Sequence, residues 1–339
     1  MKSSPFPVLV AAGLAGVLLV SARPLAGQAP DVGGTLVVVN KGASTASIVD
    51  VASGQIVATV PTGDGPHEVV VSTDGRTAVV TDYGARSGGN TLTVIDVPGR
   101  AVARTIDLGE HRRPHGISFL PGDEVVAVTT EESGHVVIVN LGSGDIVQAL
   151  PTEGNVSHML AVPGAADRIY TSDIRDGTVT EILIDRGGPA RKIDVPVSPE
   201  AVGVRPDGSE VWVGSNDLGV VSVIDTGTGE VEQVLDGFGW PYRVHFSADG
   251  SLALIPDLRG DELRIVDAGS RKELATLSFP GGGPQGVAFS ADGRYAFQSL
   301  SRQGRVAVID LRSMEVVGYL SAGSTPDGVA HTPLQALQD

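Results

Sequence analysis

A unit of about 42 residues, repeated seven times, governs what this chain can fold into. Short apolar stretches entered through Pro or Ser recur at Pro66-His67, Pro114-His115, Ser157-His158, Pro199-Glu200, Pro241-Tyr242, Pro284-Gln285 and Pro326-Asp327. The intervals between them are 48, 43, 42, 42, 43 and 42 residues. A strand–turn–strand pattern keeps the same rhythm, as in "SIVDVASGQIVATV", "VIVNLGSGDIVQAL" and "AVIDLRSMEVVGYL". A unit this short cannot bury its own apolar face, so neighbouring copies must stack.

Each period holds four short strands. In the second copy they run over residues 116–119, 125–129, 135–140 and 146–150. Their links carry "STDG", "RPDG" and "SADG" after the first strand, and "ASG", "GSG" or "TGTG" after the third. Such residues accept the left-handed backbone of tight turns. No segment keeps a helical period. The pattern predicts an all-β chain, a seven-bladed β-propeller of four-stranded blades. The repeats open on a second strand, "GTLVVVN", and end on a lone first strand, "PDGVAHT". Pairing the two would close the ring and remove its open edge.

The unit "P-H-x-V-x-V-S-x-D-G-x-x-x-V-V-T" followed by "V-I-D" resembles the YVTN-type propeller repeat of YncE-like and surface-layer proteins. The resemblance covers residues 32–332, with seven copies in register. Its signature tetrapeptide has degraded counterparts, among them Val37–Asn40, Val79–Asp82 and Tyr170–Asp173. The resemblance implies the fold. For function it implies a range, from adhesion and ligand binding to lactone hydrolysis, because one fold hosts many activities.

The first residues, "MKSSPFPVLVAAGLAGVLLVSA", place a lysine before 13 apolar residues and a small-residue cleavage site. Residues 1–22 therefore read as a signal peptide, with cleavage as late as residue 30, and the run is short for a membrane span. The expected organisation is one propeller domain over 31–333, a tail over 334–339, no stable membrane span after cleavage, and export to the periplasm or the extracellular space. With no cysteine, the chain has no disulfide, thiolate metal site, covalent haem attachment or cysteine nucleophile. A net charge of −16 and 4% aromatic residues disfavour nucleic acid as a partner.

The first strand of a propeller blade lines the channel, so the residue after each entry Pro or Ser is expected at the channel mouth. These residues are His67, His115, His158, Glu200, Tyr242, Gln285 and Asp327. The ends of the second strands, including Asp82, Asp173 and Asp257, are expected on the same face. Three of the chain's seven histidines fall on consecutive entry positions, with Glu200 next. Imidazole and carboxylate suit a borderline divalent metal, so the arc His67, His115, His158 and Glu200 is the candidate metal set. In that reading Asp82 orients His67 and Asp173 orients His158. Two functions follow. One is an exported scaffold that binds a small molecule or a protein at the channel mouth. The other is a metal-assisted hydrolase or lyase, lactonase-like, built on the arc.

Weaker signals are set aside. "GGGPQG" (281–286) fits G-x-G-x-x-G but lacks the strand-to-helix context of a dinucleotide site. His111 and His115 are spaced by four, but Pro114 prevents a helical pair. Arg112 and Arg113, in an insertion, are candidate contacts for an anionic ligand. Trp212 and Trp240 read as packing residues.

Overall fold

The computed structural model describes residues 32–336, together with Met1. The leader assigned to 1–22 lies outside the described residues apart from Met1. No helix among the described residues is long and apolar enough to cross a membrane.

Seven antiparallel sheets of four strands form the propeller. Blade two runs from Pro66–Val71, on the channel, through Thr77–Asp82 and Thr91–Asp96 to Ala101–Asp107 on the outside. Blades three, four, five, six and seven repeat this order. Blade one is built from both ends of the chain. Pro326–Thr332 pairs with Thr35–Asn40, placing Val38 opposite Val329 and Leu36 opposite His331. The predicted closure is present.

Burial follows the layers. Second strands are buried on both faces because each blade is sandwiched between two others: Thr35–Asn40 is buried throughout. Outer strands meet solvent on one face, and Ala101–Asp107 alternates accordingly. The core is therefore a set of seams between blades. One seam joins Val37, Val39 and Ile48 of blade one to Val69, Val80 and Ile95 of blade two. Trp212 fills the seam between blades five and six, edge-on to Phe246 with ring centroids 5.5 Å apart.

The turns are built as the sequence predicts. Ser72 Oγ donates to Asp74 Oδ1 at 2.6 Å, and the Arg76 amide donates to the same oxygen. Gly75 then takes φ +74°. Ser247-Asp249 and Ser290-Asp292 repeat the arrangement.

Blade six departs from the pattern. Its channel strand shrinks to His245–Phe246, with one isolated bridge at Pro241–Asp257. The freed segment carries Tyr242 and Arg243 into the channel end.

Candidate functional site

All seven entry side chains converge. His67 and His115 have ring centroids 4.1 Å apart, and His115 and His158 3.7 Å apart. His158 Nε2 lies 3.4 Å from Glu200 Oε1, and that oxygen lies 3.5 Å from Arg243 Nη1. Tyr242 lies under the Arg243 guanidinium, which sits 4.0 Å from its ring centre. Its hydroxyl reaches Asp327 Oδ1 at 3.5 Å and accepts from Gln285 Nε2 at 3.3 Å. Asp327 Oδ2 returns to His67 Nδ1 at 2.9 Å. These contacts close a polar ring across one end of the channel.

The second-strand residues do something else. Asp82 does not touch His67. Its Oδ2 accepts from Thr91 and Thr93 at 2.8 and 2.9 Å, within its own blade. Asp173 is held by Ser157, Thr171, Thr178 and Thr180. Asp257 accepts backbone amides of Gly239, Trp240 and Gly260. The expected orienting pairs, Asp82 with His67 and Asp173 with His158, are therefore replaced. The carboxylates tie each entry loop to its blade, while His67 meets Asp327 and His158 meets Glu131.

The physical reason is a register of one. Strand side chains alternate in direction, so the residue after each second-strand end points the other way. Four of those residues, Lys41, Tyr83, Glu131 and Asn216, face the ring. Lys41 Nζ lies 2.5 Å from His67 Nε2. Tyr83 lies edge-on to both His67 and His115, at 5.3 Å from each, and donates to Glu131 Oε2 at 2.7 Å. Glu131 Oε1 bonds His158 Nδ1. The Asn216 amide donates to Glu200 Oε2, and Trp240 Nε1 donates to the same atom at 3.2 Å. Trp240 thus lies at the site, stacked by Arg259, whereas Trp212 is core.

Electrostatics divide the three imidazoles. His115 is fully buried, and neither ring nitrogen has a hydrogen-bond partner. Burial, then the positive charge of His158, drives its pKa well below the usual histidine range, leaving it neutral. For His158 burial also opposes charge, but the hydrogen bonds to Glu131 and Glu200 outweigh it and push the pKa up to about 9. Burial acts against ionised Glu200 too; His158 and Arg243 overcome it and hold the carboxyl at about 2. Glu131 is lowered as well, for burial is outweighed by the His158 bond.

Below this ring, Arg243 and Glu68 meet across the axis. Beyond them lies a channel of about 620 Å³ with walls of mixed polarity, in which Val69, Ile117, Phe119, Met159 and Val287 alternate with polar groups such as Ser118, His245 and His331. The ionisable cluster therefore sits on a floor, on the entry side of the channel.

The other motifs have structural tasks. The glycine-rich loop at 281–286 is clasped by Asp261, which accepts from the amides of Gly281 and Gly283 at 2.8 and 2.9 Å. His111 turns away from His115 and packs against His135, ring centroids 5.2 Å apart. Arg112 bonds the carbonyl of Gly88 at 3.3 Å, and Arg113 lies over Tyr83 and beside Glu132. The insertion is thus a rim that braces Tyr83.

Comparison with known proteins agrees with the architecture. Residues 23–123 match the model of the YNCE-like β-propeller. Two curated relatives are similar in sequence, both named 6-phosphogluconolactonase. The one from Erwinia tasmaniensis is 24% identical over 225 residues, 62% of this chain and 68% of its own length. The one from Pectobacterium atrosepticum is 26% identical over 229 residues, with the same coverage. Among solved structures, a functionally unknown protein from Desulfotomaculum acetoxidans superposes with a TM-score of 0.73 at 15% identity, over 88% of this chain and 98% of that one. Kuenenia stuttgartiensis hydrazine synthase gives 0.71 at 17% identity, over 88% and 100%. These two likenesses establish the fold. The chain is a seven-bladed β-propeller, and its first part is similar to the YncE-like family.

Proposed function

We propose that this propeller hydrolyses a lactone at the polar ring. One observation carries the reading: a histidine held as a cation, His158, stands between two ionised carboxylates, Glu131 and Glu200, beside a neutral buried imidazole. Opening a cyclic ester needs positive charge at the carbonyl oxygen, an acceptor for the proton of attacking water, and a donor for the departing ring oxygen. His158 and Arg243 supply the charge. Glu200 Oε1 accepts the water proton, and His158 protonates the ring oxygen as the acyl–oxygen bond breaks. The product is the open hydroxy acid. The names of the two curated relatives support the same substrate class.

The scaffold reading rests on a different observation. The entry rim carries cations stacked on aromatic rings, Arg113 on Tyr83 and Arg259 on Trp240. Such a rim suits a ligand held without turnover.

The deciding experiment follows proton release by the purified chain with gluconolactone and its 6-phosphate. Hydrolysis above the buffer rate, falling about 100-fold or more in Glu200→Gln, is expected. Saturable binding of either lactone with no turnover assigns the scaffold role instead.

A further inference from the structure

We infer that the polar ring contains a binding site for one divalent transition-metal ion, with His115, His158 and Glu131 as ligands. Each of the three offers an atom, and these atoms lie within 4.8 Å of one another. An ion about 2.0–2.2 Å from nitrogen and carboxylate donors fits among atoms so spaced. His115 is the decisive residue. It has no exposure, and neither ring nitrogen is satisfied by the protein. A buried imidazole in that condition costs stability unless a ligand compensates it.

The choice among the clustered histidines follows from their neighbours. His67, Glu68 and His115 lie equally close. However, His67 Nε2 is 2.5 Å from the Lys41 ammonium, and Glu68 Oε1 is 2.5 Å from Arg243 Nη2. Two fixed cations on two of three ligands oppose a metal ion there. Around the other set, Tyr83 donates to Glu131 Oε2 at 2.7 Å, Glu131 Oε1 faces His158 Nδ1, and Glu200 adds a further negative charge 3.4 Å from His158 Nε2. A donor outside the coordination sphere that orients a ligating carboxylate is a recurring feature of metal centres. The ligand set is thus narrower than the arc read from sequence: His67 falls out, Glu131 enters, and Glu200 stands beside the ion. Two nitrogen donors and one carboxylate favour zinc, cobalt or nickel over calcium or magnesium.

The site deepens the lactone reading, on which its catalytic meaning rests. With an ion bound, His158 would be a neutral ligand rather than the proton donor, and the ion would supply the positive charge at the carbonyl oxygen. Glu200 would then carry the proton from water to the ring oxygen.

The test is cobalt uptake by the full chain after chelator treatment and desalting. About one equivalent is expected, with the visible absorption of a low-coordinate cobalt centre and a raised melting temperature. Tyr83→Phe, which leaves all three ligands in place, is expected to weaken binding about 10–100-fold. Glu131→Gln is expected to abolish uptake, and Asp82→Asn to leave it unchanged. Far-ultraviolet circular dichroism and melting of each metal-free variant identify any that fail to fold. No uptake by the folded wild-type chain, or equal uptake by folded Glu131→Gln, overturns the site. Uptake without lactone turnover keeps the site and removes the lactone role. Turnover by metal-free chain without uptake does the reverse.

Discussion

Arg243 reaches across the propeller axis to Glu68, its Nε and Nη2 lying 3.0 and 2.5 Å from one carboxylate oxygen, Oε1. The two residues belong to blades six and two. Both are buried, and Arg243 also bonds its neighbour's carbonyl and lies 3.5 Å from Glu200. An ion pair removed from water is held by its partners rather than by solvent, so loss of one partner leaves a buried charge alone. Glu68→Met is therefore expected to destabilise the chain by about 3 kcal/mol, and Arg243→Met by a similar amount. The double variant Glu68→Met/Arg243→Met is expected to recover most of that loss. Denaturant unfolding of the four proteins checks it; additive single losses would show that the pair is not coupled.

The ring closes through one strand. Pro326–Thr332 pairs with Thr35–Asn40 and adds Val329 and Ala330 to the two flanking seams. Removing residues 323–339 would leave a paired edge bare and open two seams at once. A melting transition shifted down by tens of degrees, or lost, is expected. An unchanged transition in the truncated chain would contradict closure by this strand.

Adjacent channel strands approach closely at glycines. A Cβ on Gly328 would lie 2.7 Å from the His67 carbonyl oxygen and 2.9 Å from the Glu68 Cα. These are backbone atoms of the next blade and have nowhere to move. A Cβ on Gly318, in the outer strand Glu315–Ser321, would meet nothing within 4 Å. Gly328→Ala is expected to cost about 1–3 kcal/mol. Gly318→Ala is expected to be neutral or stabilising by up to about 1 kcal/mol. Thermal melting of the two single variants separates them.

The repeat made the architecture readable because its period, turn chemistry and strand alternation all point to one answer. It also made the entry residues readable, since each follows a Pro or Ser in register. The second half of the site lies one position beyond the strand ends that the repeat marks. Asn40, Asp82, Thr130 and Ser215 end their strands and attract attention as polar residues, but Lys41, Tyr83, Glu131 and Asn216 face the ring. A period of two decides this, and strand ends read from sequence are uncertain by more than one residue. Arg243 had a usable signal. The residues after the entry positions are mostly small (Gly116, Ala201, Gly286, Gly328), and Glu68 and Arg243 are the charged exceptions. The pairing of those exceptions across the axis depends on the shortened channel strand of blade six, which no local pattern announces.

Asp82 provides a pH test of that same register. Burial raises its carboxyl from 3.8 to about 6, against the hydrogen bonds from Thr91, Thr93 and Gly63. The folded state therefore holds this proton more tightly than the unfolded chain does. Its stability is highest below about pH 4 as far as this group is concerned, and declines as pH rises from about 4 to 6. Fully realised, that shift corresponds to about 3 kcal/mol of penalty at neutral pH, and relaxation reduces it. Blade one shows what removes the penalty. Asn40 occupies the equivalent place, donating from Nδ2 to Thr45 and Ser47 at 3.1 and 2.9 Å and accepting the Gly323 amide at 2.9 Å. Asp82→Asn is thus expected to stabilise the chain by about 1–2 kcal/mol at pH 7.5, with the gain gone by pH 4. Urea unfolding at the two pH values measures it. Because Asp82 faces its own blade rather than His67, the variant is also expected to keep wild-type behaviour at the polar ring. A variant that gains no stability at pH 7.5, or that loses turnover or cobalt uptake, would return Asp82 to the channel mouth.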